Sequence, residues 1–157
     1  MDNVRIRYEN VKLNLFESAE LMPGRDYGFK PSADQMPFGV WIERCARNLH
    51  RRCAAIDGKP EPDLDDLRNL PSKRARVSAL AAAFQYCDSV LGKLGDRRAL
   101  RKRQNGERTD YPVAPMLSLL GELHTYYGYL AAYLRAKGLV PPSAARAAAQ
   151  KKPPSKR

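Results

Sequence analysis

Hydrophobic positions recur at helical spacing in four segments of the chain and nowhere alternate over a useful length. In the first, Val4, Tyr8, Val11, Leu15 and Met22 follow the i, i+4, i+7 spacing of one buried face, with charged residues between them. The run PGRDYG stops this helix near Met22. Phe38, Ile42, Cys45, Leu49, Cys53 and Ile56 form the second stripe. Before it, Ser32 and Gln35 have capping-box spacing, and Pro37 suits a first helical turn, where its missing N–H costs nothing. A polar connector, KPEPDLDDLRNLP, leads to Ser72, the predicted cap of a third helix. Val77, Leu80, Ala81, Phe84, Cys87 and Leu91 share its buried face, and Gly92 and Gly95 weaken its end. Tyr111-Pro112 and Pro115 open the fourth helix, whose stripe is Met116, Leu120, Leu123, Tyr127, Leu130 and Leu134. Gly138, with Pro141-Pro142 just beyond, is a helix stop.

Four amphipathic helices joined by long loops after the second and third predict an all-α four-helix bundle over residues 1–142. Residues 143–157 read as a basic, disordered tail. At 157 residues the chain has single-domain length and can hold one core without staples.

The net charge of +11 points to an anionic partner. Much of the excess falls in DRRALRKRQNGER (96–108), read as a solvated loop, and in the tail SAARAAAQKKPPSKR, which has no acidic residue. No groove-reading helix or stacking platform accompanies these charges, so they imply at most non-specific nucleic-acid binding that collapses with salt. Cys45, Cys53 and Cys87 are an odd count without the close spacing of zinc or redox motifs, which favours a reducing, cytoplasmic compartment, and the second stripe makes Cys45 and Cys53 small buried hydrophobes. With neither a signal-like apolar start nor a run of ~18 apolar residues, no membrane association is expected.

Candidate chemistry lies beside the stripes. At 100° per residue, Glu122, Tyr126, Tyr129 and Tyr133 cluster on a flank of the fourth helix, and Trp41, Arg44 and Asn48 lie on a flank of the second displaced in the same sense. Two readings are open. The residues are amphipathic packing at the bundle edge, or the flanks face each other and enclose a polar pocket. His124 falls on neither stripe, and His50 has no partner at ligand spacing, so two histidines do not make a metal site. Neither a catalytic nucleophile and base nor a glycine-rich phosphate loop can be singled out.

The order of several short motifs is informative. Tyr27-x-Phe29-x-Pro31 precedes Met36-Pro37-Phe38-Gly39; Phe84-x-Tyr86-Cys87-Asp88 lies in the third helix; Tyr127-Gly128-Tyr129-Leu130, Tyr133-Leu134-Arg135 and Gly138-Leu139-Val140-Pro141-Pro142 close the fourth. Together, from about Phe16 to Ser143, they resemble the DinB-like (YfiT-type) superfamily. That resemblance implies a four-helix bundle, often a homodimer, and a nickel or zinc ion held by three histidines, which serves thiol-dependent transferases and isomerases. The corresponding positions here hold Arg44, Glu122 and Tyr126. An arginine has no acceptor and repels a cation, so no cofactor is expected.

If those positions converge as the resemblance implies, Arg44 and Glu122 are expected to pair beside the Tyr126 hydroxyl, with Trp41, Asn48, Tyr129 and Tyr133 lining the cleft. A small anionic ligand is the expected occupant of such a cleft. The alternative is a metal-dependent transferase whose ion is held by other residues.

Overall fold

The computed structural model describes residues 2–105 and 108–150. The four predicted segments are helices: α1 (Asp2–Leu21), α2 (Phe38–Asp57), α3 (Lys73–Gly92) and, after a short α4 (Asp96–Ala99) and a β1–β2 hairpin, α5 (Val113–Ala136). Both α1 and α2 pack against α3 and α5, so the long helices form a closed four-membered ring.

Cross-helix contacts fix their directions. Tyr8 and Lys12 reach Asp88 while Lys73 reaches Glu20, so α1 and α3 are antiparallel. Glu43 meets Arg76 and Cys53 meets Cys87, so α2 and α3 run parallel. Trp41 meets Tyr133 and Arg52 meets Glu122, so α2 and α5 are antiparallel. Parallel neighbours require a long crossover, which is why residues 58–72 cannot be a tight turn.

The predicted core stripes on α1 and α2 are buried throughout, apart from half-buried Val4 on α1. Three positions differ elsewhere, one of them Val77 of α3, which is half-buried. On α3 the buried alanine is Ala83, with Ala81 exposed; on α5 Tyr133 is buried and Tyr127 is only half-buried. Tyr133 belongs inside because its hydroxyl has a partner there, donating to the Met36 carbonyl at 2.6 Å and accepting from Trp41 Nε1 at 3.0 Å.

Ser72 caps α3 as predicted, accepting from the Ala75 amide at 3.1 Å. The Ser32–Gln35 capping box does not form. Pro37 is itself the residue preceding α2, and Ser32 Oγ donates to Asp34 instead. Gly39 lies where Arg76 crosses α2: a Cβ there would come within 2.9 Å of the Arg76 side chain. The predicted helix stop at Gly138 holds, with φ +72° and Leu139 N–H donating to the Leu134 carbonyl at 2.9 Å.

Three expectations are overturned. The basic segment is not a solvated loop: it contains α4 and the antiparallel pair β1 (Arg103–Asn105) and β2 (Arg108–Asp110). Its anchor is Arg103, which donates to the carbonyls of Ala55 and Ile56 and to Asp110. A helix end leaves carbonyls without partners, and a guanidinium satisfies several at once.

Nor is all of the tail disordered. Pro142–Gln150 form α6, whose Arg146 bonds to Glu17 and Asn14 of α1. The alanine-rich run AARAAA carries strong helix propensity that its charge concealed; residues 151–157 lie outside the described residues.

Finally, Cys53 and Cys87 are joined by a disulfide between α2 and α3. Their sequence separation of 34 hid a pairing that only the parallel packing of two helices creates. Cys45 is free and buried, and burial pushes its thiol pKa up. The disulfide removes the thiol-based reason for expecting a reducing compartment. No described helix is long and apolar enough to cross a membrane.

Candidate functional site

Because α2 and α5 are antiparallel, their two polar flanks face each other level by level. Trp41 lies against three tyrosines: it stacks on Tyr129 with ring centroids 4.4 Å apart, tilts toward Tyr126 at 6.1 Å and donates to Tyr133. Two turns along α2, Asn48 meets Glu122. The flanks read from the sequence are therefore one surface.

The expected Arg44–Glu122 pair does not form. Glu122 is held by Arg52, whose Nε donates to Oε2 at 2.9 Å and whose Nη2 donates to Oε1, while Asn48 Nδ2 also donates to Oε2. Arg44, Asn48 and Arg52 share one face of α2 at four-residue spacing, and Glu122 lies level with the last two, so Arg44 is one turn from Asn48 and two from Arg52. Burial alone would raise the Glu122 pKa; the hydrogen bonds from Arg52 and Asn48 outweigh it and hold the carboxyl below its ordinary value. The same contact raises the pKa of Arg52.

Arg44 points elsewhere. Its guanidinium lies 5.6 Å from the Trp41 ring, with Nη1 3.5 Å from Met36 Sδ, and it borders a cleft of about 240 Å³. The other lining residues are Arg47, Asn48, Arg51, Arg68 and Tyr126. Four guanidinium groups thus surround one concavity between α2 and the crossover.

The crossover is positioned by a buried acid. Glu43 is 2% exposed and accepts from the amides of Asn69 (3.1 Å) and Leu70 (2.9 Å) and from Arg76 Nε (2.8 Å). Arg47 Nη1 donates to the Leu67 carbonyl at 3.0 Å, tying the same loop to α2 and bringing Arg68 to the cleft.

The positive charges are only partly compensated. Arg51 pairs with Glu61 at 2.7 Å and Arg68 with Asp65 at 2.9 Å, each between exposed side chains, where such pairs contribute little. Neither Arg44 nor Arg47 forms an ion pair among the described residues. Burial and the neighbouring charges of Arg68 and Arg44 lower the pKa of Arg47 against the opposing pull of Glu43. Burial pushes the Tyr126 phenol up, opposed by the Arg44 charge.

Sequence reasoning missed Arg47, Arg51, Arg52 and Glu43. The signal was present in ERCARNLHRR: Arg44, Arg47 and Arg51 follow i, i+3, i+7, a basic stripe that the neighbouring hydrophobic stripe overshadowed. His124 is exposed, as its position implied, and its Nδ1 lies 2.7 Å from the Leu120 carbonyl of its own helix. His50 stacks on Tyr86, and partial burial lowers its pKa.

With this geometry in hand, the chain can be placed among known proteins. The fold is that of the DinB-like proteins. It superposes on the crystal structure of a DinB-like protein from Bacillus cereus with a TM-score of 0.74, covering 90% of this chain and 95% of that one at 9% sequence identity. A DinB-like protein from Bacillus subtilis gives 0.66, covering 87% and 92% at 17% identity. No protein-family model and no curated protein matches the sequence.

The resemblance had linked such a bundle to a nickel or zinc centre at positions 44, 122 and 126. The side chains there do not fit that ion. A guanidinium has no lone pair to donate, and both Glu122 oxygens already accept from Arg52 or Asn48. Among the described residues, no three His, Cys, Asp or Glu side chains converge on one point.

Proposed function

We propose that this chain is a divergent member of the DinB-like superfamily in which the metal centre has given way to an anion-binding cleft, and that it acts by binding a small anionic ligand. One observation carries this reading: Arg44, Arg47, Arg51 and Arg68 line a single concavity, and the first two form no ion pair among the described residues. Like charges held together are costly, and a bound carboxylate or phosphate relieves that repulsion. Guanidinium forks match the geometry of either anion, and Asn48 and the Tyr126 hydroxyl supply neutral hydrogen-bonding groups at the wall.

Arg52 stands apart from ligand binding in this reading. Its charge is committed to Glu122, and the pair braces α2 against α5. Thermal unfolding at constant ionic strength tests the proposal. Phosphate or acetate at 100 times its Kd is expected to stabilise the chain by about 2.7 kcal/mol. An Arg44→Ala/Arg47→Ala double variant is expected to lose this response, and an equal response in that variant would remove the cleft from the account.

A further inference from the structure

A second concavity, of about 370 Å³, adjoins the arginine-lined one. Its walls are Met36, Trp41, Tyr129, Ala132 and Tyr133, with Asp34 at its edge. The two share a boundary: Tyr126 and Arg44 line the first, while the Tyr126 ring faces Trp41 and the Arg44 guanidinium touches Met36 and Trp41 of the second. Arg44 lines the first and Met36 the second, and they meet with Nη1 3.5 Å from Sδ; both side chains are long and rotatable, and Arg44 is exposed.

The framework behind the aromatic wall is fixed. Tyr133 is bonded to Met36 and Trp41, and the linker ahead of α2 is pinned where the Phe38 amide donates to Phe29 O at 3.0 Å and the Gly39 amide to Tyr27 O at 2.8 Å. Yet Tyr129 is 43% exposed, so a large aromatic face is presented to solvent beside a cluster of cations. Exposed aromatic rings against a rigid wall offer stacking area at little entropic cost.

Resting on the anion-binding reading, we infer that the ligand is an amphiphile with a single anionic head: one carboxylate or phosphate among Arg44, Arg47, Arg51 and Arg68, with an apolar, ring-bearing body against Trp41 and Tyr129. Among the described residues, no cationic side chain lines the second concavity. Asp34, an exposed carboxylate that accepts from Ser32 Oγ at 2.6 Å, is the one charged side chain of that lining, so nothing there would pair with a second negative charge. A molecule with an anionic group at each end therefore suits the two concavities less well than one with a single head.

Trp41 is the only tryptophan in the chain, so its emission reports directly on the second concavity. The full-length chain is titrated with 4-phenylbutyrate, acetate, glutarate and 4-phenylbutylamine, following heat by calorimetry and Trp41 emission by fluorescence. Phenylbutyrate is expected to bind at least tenfold tighter than acetate or glutarate, with a saturable emission change at the calorimetric Kd; the amine is expected not to bind. Ala132→Phe, a substitution at an exposed position that fills the second concavity, is expected to abolish the advantage of phenylbutyrate and leave acetate affinity within twofold.

Equal affinities for phenylbutyrate and acetate in the unmodified chain would overturn the inference while leaving the anion reading intact, as would an advantage that survives Ala132→Phe. Binding of neither anion would overturn both. The ligand comparison needs no variant, so a poorly folding Ala132→Phe chain would not prevent a decision.

Discussion

Glu122 shows how far a helical wheel reaches. The sequence places it on a flank facing α2 and calls for a cationic partner, and a guanidinium does hold it. The wheel carries angle but no height, however, and the antiparallel packing of α2 and α5 sets Arg52 rather than Arg44 at its level. The Arg52–Glu122 pair is a two-point fork with both side chains about one-third exposed, so removing either partner is expected to cost about 1–2 kcal/mol. Chemical denaturation of Arg52→Met, Glu122→Gln and the double variant is expected to show coupling, with the double costing clearly less than the sum. Arg44→Met with Glu122→Gln is expected to be additive.

The same pair sets a pH dependence. The folded-state pKa of Glu122 is depressed, so its contribution is fully present above the ordinary carboxylate pKa of about 4.3 and is lost as pH falls through the lower folded value. The stability difference between the unmodified chain and Arg52→Met is accordingly expected to shrink on acidification from pH 6 to about pH 3, as followed by urea midpoints. A difference that grew over that range would reverse the assigned sign.

The crossover between α2 and α3 does the most to shape the cleft, and it was the least legible part of the sequence. Read as a polar connector, it is in fact fastened by Glu43, which sits beside the α2 hydrophobic stripe and bonds to Asn69, Leu70 and Arg76. A single acidic residue within ten positions of a helix gave no hint of this, because its partners are backbone amides of a loop and an arginine 33 residues away. Glu43→Leu is expected to destabilise the fold by roughly 3 kcal/mol, since it leaves the half-buried Arg76 without its counter-charge and the Asn69 and Leu70 amides without their acceptor.

The Cys53–Cys87 bond crosses the same pair of helices. In the chain-entropy account, closing a loop of this length stabilises by about 3–4 kcal/mol, so reduction is expected to lower the denaturation midpoint markedly while α2 and α3 remain helical by circular dichroism. An unchanged midpoint after verified reduction would show that the tether contributes nothing beyond the packing around it.

At the level of the whole molecule, the four-helix bundle was legible because periodicity, the Ser72 cap and the Gly138 stop all point the same way. The hairpin and α6 were not, because their charges suggested solvation while their structure depends on partners far along the chain: α2 carbonyls for Arg103, and α1 side chains for Arg146. Net charge shows a similar division. The sequence directed attention to the basic segment, where Arg98, Arg101, Lys102 and Arg103 border a concavity of their own, and away from the arginines that share one on α2 and the crossover.

That contrast gives the most direct test of the central claim. Arginine side-chain Nε–Hε resonances, assigned by substitution, are followed by NMR while inorganic phosphate is added at constant ionic strength. Saturable shifts are expected at Arg44, Arg47, Arg51 and Arg68, sharing one Kd, with Arg52 little affected because Glu122 already occupies it. Shifts confined to Arg97, Arg98 and Arg101, or a linear drift at every arginine alike, would contradict an anion-binding cleft in this bundle.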